Sequence, residues 1–134
     1  MSLFYRIGWI LVNSMNTPRS AHTASIITND TIVVVGGYSG SIYLNTAELY
    51  NVNTGTWSFI APMIKARAYH TATVLANGNI LVTGGISSTG VLQEAEVYDP
   101  LMNTWTAVPN MNSKRYYHTA LLLANGQVLA AGGS

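Results

Sequence analysis

Short runs of apolar residues alternate along the chain with polar turn segments, and no run shows helical spacing. One run, residues 70–75, is followed by Asn77-Gly78, a pair typical of tight hairpins because both turn residues adopt positive φ. A second run, residues 80–83, ends at a glycine pair. After a polar loop, a third run at 95–98 leads through another turn to a fourth run that opens with Trp105. The pattern predicts four short antiparallel strands and an all-β fold.

The four-strand pattern recurs with a period of 48 residues, and no insertion interrupts the register. Four antiparallel strands that repeat every 40–50 residues or so are typical of a β-propeller blade. The sequence therefore predicts a partial β-propeller. The residues that keep the register are Trp9, Trp57 and Trp105; Met15, Met63 and Met111; Arg19, Arg67 and Arg115; His22, His70 and His118; and the pairs Gly36-Gly37, Gly84-Gly85 and Gly132-Gly133.

The register divides the chain into four parts. Residues 1–14 are predicted to be the last strand of a preceding blade, 15–62 and 63–110 to be complete blades, and 111–134 to be the first two strands of a further blade. The 134 residues thus amount to about 2.8 blades. Because propellers usually close with about four to eight blades, we expect either a fragment of a longer gene product or an arc that self-associates through an exposed edge strand.

The composition of the chain limits the classes of function that it can have. The chain is 49% hydrophobic and 8% charged with a net charge of +1, so no general attraction to nucleic acid is expected. The absence of cysteine excludes disulfides and thiolate metal sites. No apolar run reaches the roughly 18–20 residues of a membrane span. The compartment stays undetermined.

The spacing of glycine, tyrosine and tryptophan within the repeat is more specific. A glycine pair is followed by a tyrosine and then, after six intervening residues, by a tryptophan, as in Tyr50 and Trp57 or Tyr98 and Trp105. In this spacing residues 9–134 resemble the Kelch repeat family. The resemblance implies a Kelch-type propeller whose function is non-catalytic recognition of a protein or peptide, with no cofactor.

The charged residues are segregated within the repeat. Most basic residues precede the first strand of a blade, and most acidic residues surround the third strand. This clustering predicts a locally positive face that binds an acidic peptide, a carboxylate or another anion. In the alternative interpretation, each arginine pairs with a repeat glutamate and joins the blades. The basic residues are Arg19, Lys65, Arg67, Lys114 and Arg115, and the acidic ones are Glu48, Glu94, Glu96 and Asp99.

The resemblance to Kelch adaptors of ubiquitin ligases adds residue roles. In those adaptors an arginine four residues after the blade methionine lines the peptide-binding face, and a serine often follows it. The matching arginines here are Arg19, Arg67 and Arg115, and the serine position is met by Ser20. Together with Tyr69 and Tyr117, these residues form the predicted binding site.

A second resemblance suggests an enzyme. The pattern Arg-x-Tyr-His occurs at residues 67–70 and 115–118. It resembles the Tyr-His pair that binds copper in galactose oxidase and glyoxal oxidase, which are copper radical oxidases with a Kelch propeller. That resemblance implies copper ligation by Tyr69, His70, Tyr117 and His118, in a fragment of such an oxidase. The alternative is that each histidine is a repeat-consensus strand residue, buried and hydrogen-bonded to the backbone of the neighbouring blade.

Overall fold

The computed structural model describes residues 8–134 and places twelve strands and no helix among them. This confirms the all-β prediction. The strands are β1 (Thr23–Thr28), β2 (Thr31–Val35), β3 (Ala47–Asn51), β4 (Thr56–Ile60), β5 (Thr71–Val74), β6 (Ile80–Thr83), β7 (Ile86–Ser87), β8 (Gly90–Val91), β9 (Ala95–Asp99), β10 (Thr104–Val108), β11 (Thr119–Leu122) and β12 (Val128–Ala131).

The strands form two four-stranded blades and the inner half of a third. The first blade has the order β1-β2-β3-β4, the second the order β5-β6-β9-β10, and the third contains β11 paired with β12. Each pairing is antiparallel. The short hairpin β7-β8 interrupts the loop between the second and third strands of the second blade. The innermost strands β1, β5 and β11 lie side by side, which gives the arc of a partial β-propeller.

The strand predicted in residues 1–14 is not observed in the part of this segment that the structure describes. Residues 1–7 of the predicted segment 1–14 lie outside the described residues, and residues 8–14 form no strand. In the complete blades the outermost strand pairs only with the third strand of its own blade. Residues 8–14 have no such neighbour within the described part, and Trp9 is fully exposed there.

The core lies between the first two blades. It contains alternate residues of β2, including Val33 and Val35, which pack with Met63 against β6 and Tyr98. Trp105 packs on the same cluster, and its indole N–H donates to the carbonyl oxygen of Ala61 at 2.7 Å. Through this hydrogen bond Trp105 connects the second blade to the segment that precedes that blade.

The glycine pairs at the ends of the second strands allow close contact between backbones. Gly85 has φ +97°, and a Cβ atom there would lie 2.6 Å from the carbonyl oxygen of Ala68. Its N–H donates to the carbonyl oxygen of Arg115 in the next blade at 2.9 Å. The second glycine of the pair thus joins adjacent blades through a main-chain hydrogen bond, and Gly37 does the same with the carbonyl oxygen of Arg67.

Gly85→Ala is expected to destabilise the protein more than Gly78→Ala. Both variants pay about 1–2 kcal/mol for a left-handed alanine, because Gly78 also has positive φ, +85°. Only the alanine at position 85 meets a backbone oxygen, since nothing lies within 4 Å of a Cβ at position 78. Urea denaturation of the two variants measures the difference, and equal losses would show that the close approach of the Ala68 backbone is not what requires glycine.

Candidate functional site

The repeat arginines of the two complete blades lie inside the protein. The Arg67 side chain has no exposed surface, and its Nη2 lies 2.8 Å from Oε1 of Glu96. Its Nη1 donates to the carbonyl oxygen of Gly84 at 2.8 Å. The Glu96 carboxylate also accepts hydrogen bonds from the backbone N–H groups of Ile64 and Lys65. The ion pair therefore ties the segment before the first strand to the third strand of the same blade.

Arg19 and Glu48 repeat this arrangement in the first blade. Their side chains have no exposed surface, and Arg19 Nη2 lies 2.7 Å from Glu48 Oε1. Burial alone raises the pKa of Glu48, but hydrogen bonds from Arg19 and from the N–H groups of Asn16 and Thr17 outweigh burial and lower it. The glutamate is therefore ionised at neutral pH and paired with a charged arginine.

The structure thus does not bring the guanidinium groups of Arg19 and Arg67 to a ligand-accessible surface. The predicted pairing with repeat glutamates is present, but each pair lies within one blade rather than between two. Arg115, the third repeat arginine, is only half-buried. Its Nη1 donates to the carbonyl oxygen of Gly132 at 2.7 Å, and no described carboxylate pairs with it.

The predicted binding tyrosines occupy one repeated position at the start of the innermost strands. Tyr69 and Tyr117 have φ of 57° and 55°, and Ala21 has the corresponding value of 52°. The N–H of Tyr69 donates to the carbonyl oxygen of Ala21 at 3.0 Å, and that of Tyr117 to the carbonyl oxygen of Tyr69 at 3.1 Å. These main-chain hydrogen bonds connect each blade to the next. They hold Ala21, Tyr69 and Tyr117, one residue in each blade, in the left-handed conformation.

The side chains of Tyr69, Tyr116 and Tyr117 form a partly exposed aromatic surface. The rings of Tyr69 and Tyr117 have centroids 4.5 Å apart, and Tyr116 lies 5.0 Å from Tyr117. Tyr117 is 64% exposed. The neighbouring Tyr69 phenol raises the pKa of the Tyr117 phenol above its ordinary value. We call these three residues the tyrosine cluster.

Ser20 lies on the same side of the blades, where loops of the first blade meet. Its main chain exchanges hydrogen bonds with Tyr38 at 2.9 and 2.8 Å, so the segment before β1 joins the loop between β2 and β3. Tyr38 packs on Tyr43 with centroids 5.1 Å apart. A shallow recess beside Ser20 is lined by Pro18, Tyr38 and Ser39. We call the side with Ser20 and the tyrosine cluster the loop face.

Sequence reasoning did not select Tyr38, Tyr43 or Tyr116. The first two lie in the loop that follows a glycine pair, and this loop differs between the repeats. The available signal was the concentration of tyrosine around the glycine pairs and before the histidines. The sequence pattern selects residues that occupy the same position in every repeat, and a tyrosine that occurs in only one blade does not stand out in it.

The histidines link adjacent blades through threonine hydroxyls. His70 Nε2 lies 3.0 Å from Thr23 Oγ1. His118 Nε2 lies 3.0 Å from Thr71 Oγ1 and 3.1 Å from Thr83 Oγ1. Both histidines are buried. The predicted contact with the neighbouring blade is therefore present, although the partners identified at Nε2 are side chains rather than backbone.

Burial also keeps these histidines uncharged. Desolvation, followed by the positive charge of Arg67, lowers the pKa of His70 to about 3. Desolvation and Arg115 lower the pKa of His118 in the same way. Neutral imidazole can ligate copper, but each Nε2 already holds a hydrogen bond between blades. A metal at Nε2 would have to displace the threonine hydroxyls, whereas the Nδ1 atoms of both histidines are buried and have no hydrogen-bond partner among the described residues. Within residues 8–134, no group of three or more histidine, cysteine, aspartate or glutamate side chains is placed to hold a metal ion.

The lysines near the arginines are exposed. Lys65 Nζ lies 3.7 Å from Glu94 Oε1 in a solvent-accessible pair. Lys114 is exposed. Exposed lysines can attract acidic partners over a distance without fixing their orientation. No helix capable of crossing a membrane occurs in residues 8–134.

Four-stranded blades arranged side by side define this chain as a repeat protein of the β-propeller class. Residues 8–133 match the KLHDC2/KLHL20/DRC7 Kelch-repeats domain. The chain belongs to this Kelch-repeat family, which confirms the resemblance seen in the sequence and supports an interaction module. No curated protein matches the chain.

A solved structure with the same fold is described as a novel fungal alcohol oxidase with catalytic diversity among the AA5 family, in complex with copper. Its TM-score is 0.77 at 22% sequence identity, and the match covers 86% of this chain and 27% of the oxidase chain. At this identity the likeness concerns the fold. The chain spans about a quarter of the oxidase chain's length.

Proposed function

We propose that the chain is a non-catalytic interaction module that binds a protein or peptide segment on its loop face. The observation that carries the proposal is the tyrosine cluster, in which the exposed ring of Tyr117 packs at a tilt against Tyr69 and Tyr116 beside the innermost strands. Tyrosine is enriched at protein interfaces because it combines a large apolar ring with a hydroxyl group that can donate or accept. In this proposal the tyrosine side chains contact the ligand, while Arg19 and Arg67 stabilise the blades through their buried ion pairs.

The backbone of the cluster supports this role. Left-handed conformation is unfavourable for a bulky residue and persists where the surroundings enforce it, often at functional sites. Here the blade-to-blade hydrogen bonds of Tyr69 and Tyr117 enforce it. A ligand would meet rings whose backbone is already fixed, so little conformational entropy is lost on binding.

An acidic partner remains the preferred one. Lys114 lies one residue before Arg115 and three before Tyr117 in the chain, and its side chain is exposed. Charges at the rim of an interface mainly change the association rate and its salt dependence. We therefore expect the tyrosine cluster to contribute most of the affinity and the lysines to favour acidic segments.

The test is selection of a displayed random-peptide library on the folded chain, followed by affinity measurements with the enriched peptides. Tyr117→Ser is expected to weaken binding about tenfold or more, since interface tyrosines often contribute about 2 kcal/mol. Tyr117→Phe should lose less, because the ring is kept. Phe59→Ser is the matched control: it removes another exposed ring, on the outermost strand β4, and should leave affinity unchanged. Enriched peptides that bind equally well to Tyr117→Ser and Tyr69→Ser would place the ligand elsewhere.

The copper oxidase alternative is tested on the same protein. We expect no stoichiometric copper adduct in native mass spectrometry, because both imidazoles are buried and hold hydrogen bonds between blades through Nε2. A one-to-one adduct together with hydrogen peroxide production from alcohols would replace the binding proposal with the oxidase.

A further inference from the structure

The side of the blades opposite the loop face carries the tight turns between paired strands. Neighbouring strands of a blade are antiparallel, so the β1-β2 and β3-β4 turns lie at one end of the sheet and the β2-β3 loop lies at the other. The β5-β6 and β9-β10 turns of the second blade lie at the same end. We call this side the turn face. In the two complete blades it consists of residues 29–30, 52–55, 75–79 and 100–103.

Leu101 is an apolar residue that projects from the turn face. Its side chain is 96% exposed. The corresponding residue of the first blade, 48 positions earlier, is Asn53, so the repeat does not require a large apolar side chain at this place. A single exposed leucine is common on protein surfaces. Its surroundings therefore decide whether it belongs to a binding site.

The turn that carries Leu101 is held in one conformation. Asp99 Oδ1 accepts a hydrogen bond from the N–H of Leu101 at 2.9 Å. Asn103 has φ of 50°, and its Oδ1 accepts from the N–H of Ala61 at 2.9 Å and from the hydroxyl of Tyr98 at 3.0 Å. These bonds tie the turn to its own blade and to the segment between the blades. A ligand that contacts Leu101 therefore loses little entropy in ordering the turn.

A recess of about 190 Å³ adjoins Leu101. Its lining includes Ile27 at the end of β1, Asn79 before β6 and Pro100, and every lining residue belongs to one of the two complete blades. Small-molecule sites usually enclose roughly 300–1,000 Å³, so this recess has room for one apolar side chain. The side-chain amide of Asn79 can donate to and accept from a peptide group. The recess therefore fits a peptide segment that inserts a single apolar residue.

The charged residues near the recess are acidic. Asp30 is exposed and lies two residues after Thr28, which lines the recess. Its carbonyl oxygen accepts from the N–H of Val52 at 2.9 Å, which fixes the position of the turn. Asp99 directly precedes Pro100. No described lysine or arginine pairs with either aspartate, and no basic residue occurs in the turn-face segments. This charge favours a partner that is positive.

We propose that the turn face binds a second protein segment, in which a leucine-like side chain enters the recess beside Leu101 and a lysine or arginine stands next to it. The apolar side chain supplies most of the affinity. The flanking cation is selected by Asp30 and Asp99. This surface lies at the opposite end of the strands from the tyrosine cluster, and its binding does not depend on that cluster.

The experiment titrates the isotope-labelled full chain with the synthetic peptide acetyl-Gly-Lys-Leu-Lys-Gly-amide and records heteronuclear NMR spectra. The amide signals of residues 28, 77–79 and 101 should shift, and those of residues 116–118 should not. A peptide with serine in place of leucine should bind about tenfold or more weakly, because the burial of the leucine side chain is lost. A peptide with glutamate in place of both lysines should bind about threefold or more weakly, since exposed ion pairs contribute modestly.

Leu101→Ser is the matched change in the protein and should weaken the lysine-leucine peptide about fivefold or more. The exposed Leu101 side chain is not needed for folding. Val52→Ser is the control, since it removes an exposed apolar residue from the corresponding turn of the first blade and should leave affinity unchanged. Asp30→Asn should weaken binding of the lysine peptide but not of the glutamate peptide.

Three results would overturn the proposal. The first is the absence of any shift at about 10 mM peptide, where even a millimolar site is largely filled, or equal effects of Leu101→Ser and Val52→Ser. The second is a shift at residues 77–79 and 101 that grows with protein concentration without peptide, because a second copy would then occupy the turn face. The third is Leu101-dependent binding to phosphatidylcholine vesicles that the peptide does not inhibit, because the face would then contact a lipid surface.

Discussion

Replacing Glu96 with glutamine is expected to lower the free energy of unfolding by about 3–5 kcal/mol, the usual cost of removing one partner of a buried ion pair. The change keeps the shape of the side chain but leaves Arg67 charged, with no exposed surface and no carboxylate at 2.8 Å. Urea denaturation at neutral pH followed by tryptophan fluorescence gives the difference.

Glu94→Gln is the control in the same blade. Its carboxylate pairs with Lys65 at 3.7 Å in a solvent-accessible contact, and such pairs contribute about 0–1 kcal/mol. The double variant Arg67→Met, Glu96→Gln should recover part of the loss, because no unpaired charge remains buried. Equal losses for Glu94→Gln and Glu96→Gln would contradict a structural role for the buried pair.

Acidification from pH 6.5 to pH 4.5 is expected to destabilise the protein by about 2 kcal/mol through His70 alone, with a limiting slope of about 1.4 kcal/mol per pH unit. The unfolded chain takes up a proton at His70 near pH 6.5, whereas burial and Arg67 lower the pKa in the folded protein to about 3. The folded state therefore binds fewer protons in this range. The stability is fully present above pH 6.5 and is lost progressively as the pH falls towards 3.

Urea denaturation at several pH values between 7.5 and 4.5 measures this dependence. The lowered pKa values of His22 and His118 add to it with the same sign. The lowered pKa of Glu48 adds a further loss below its ordinary pKa of 4.5. His70→Gln should reduce the slope by about one proton, although the variant starts less stable because the bond to Thr23 is altered. An unchanged slope in His70→Gln would show that another group senses the pH.

The sequence alone was sufficient for the scaffold. The 48-residue register and its hairpin turns predicted the four strands of each complete blade, and the glycine pairs marked the ends of the second strands. The spacing of tyrosine and tryptophan predicted the Kelch family, which residues 8–133 match. These features follow from local rules, because strand alternation and turn residues act over a few neighbouring positions.

Only the tertiary structure decided what the repeated polar residues do. Arg67 and Glu96 are 29 residues apart, and the sequence left open whether the repeat arginines pair with the repeat glutamates or form an exposed positive face. The same limit applied to residues 8–14, which form no strand although the repeat predicts one there. It also applied to the packing of Tyr69 against Tyr117, which joins two blades. The position of a charged or aromatic residue within the repeat does not show whether its side chain lies in the core or at the surface. Its role is set by which distant groups the packed blades bring within hydrogen-bonding or stacking distance.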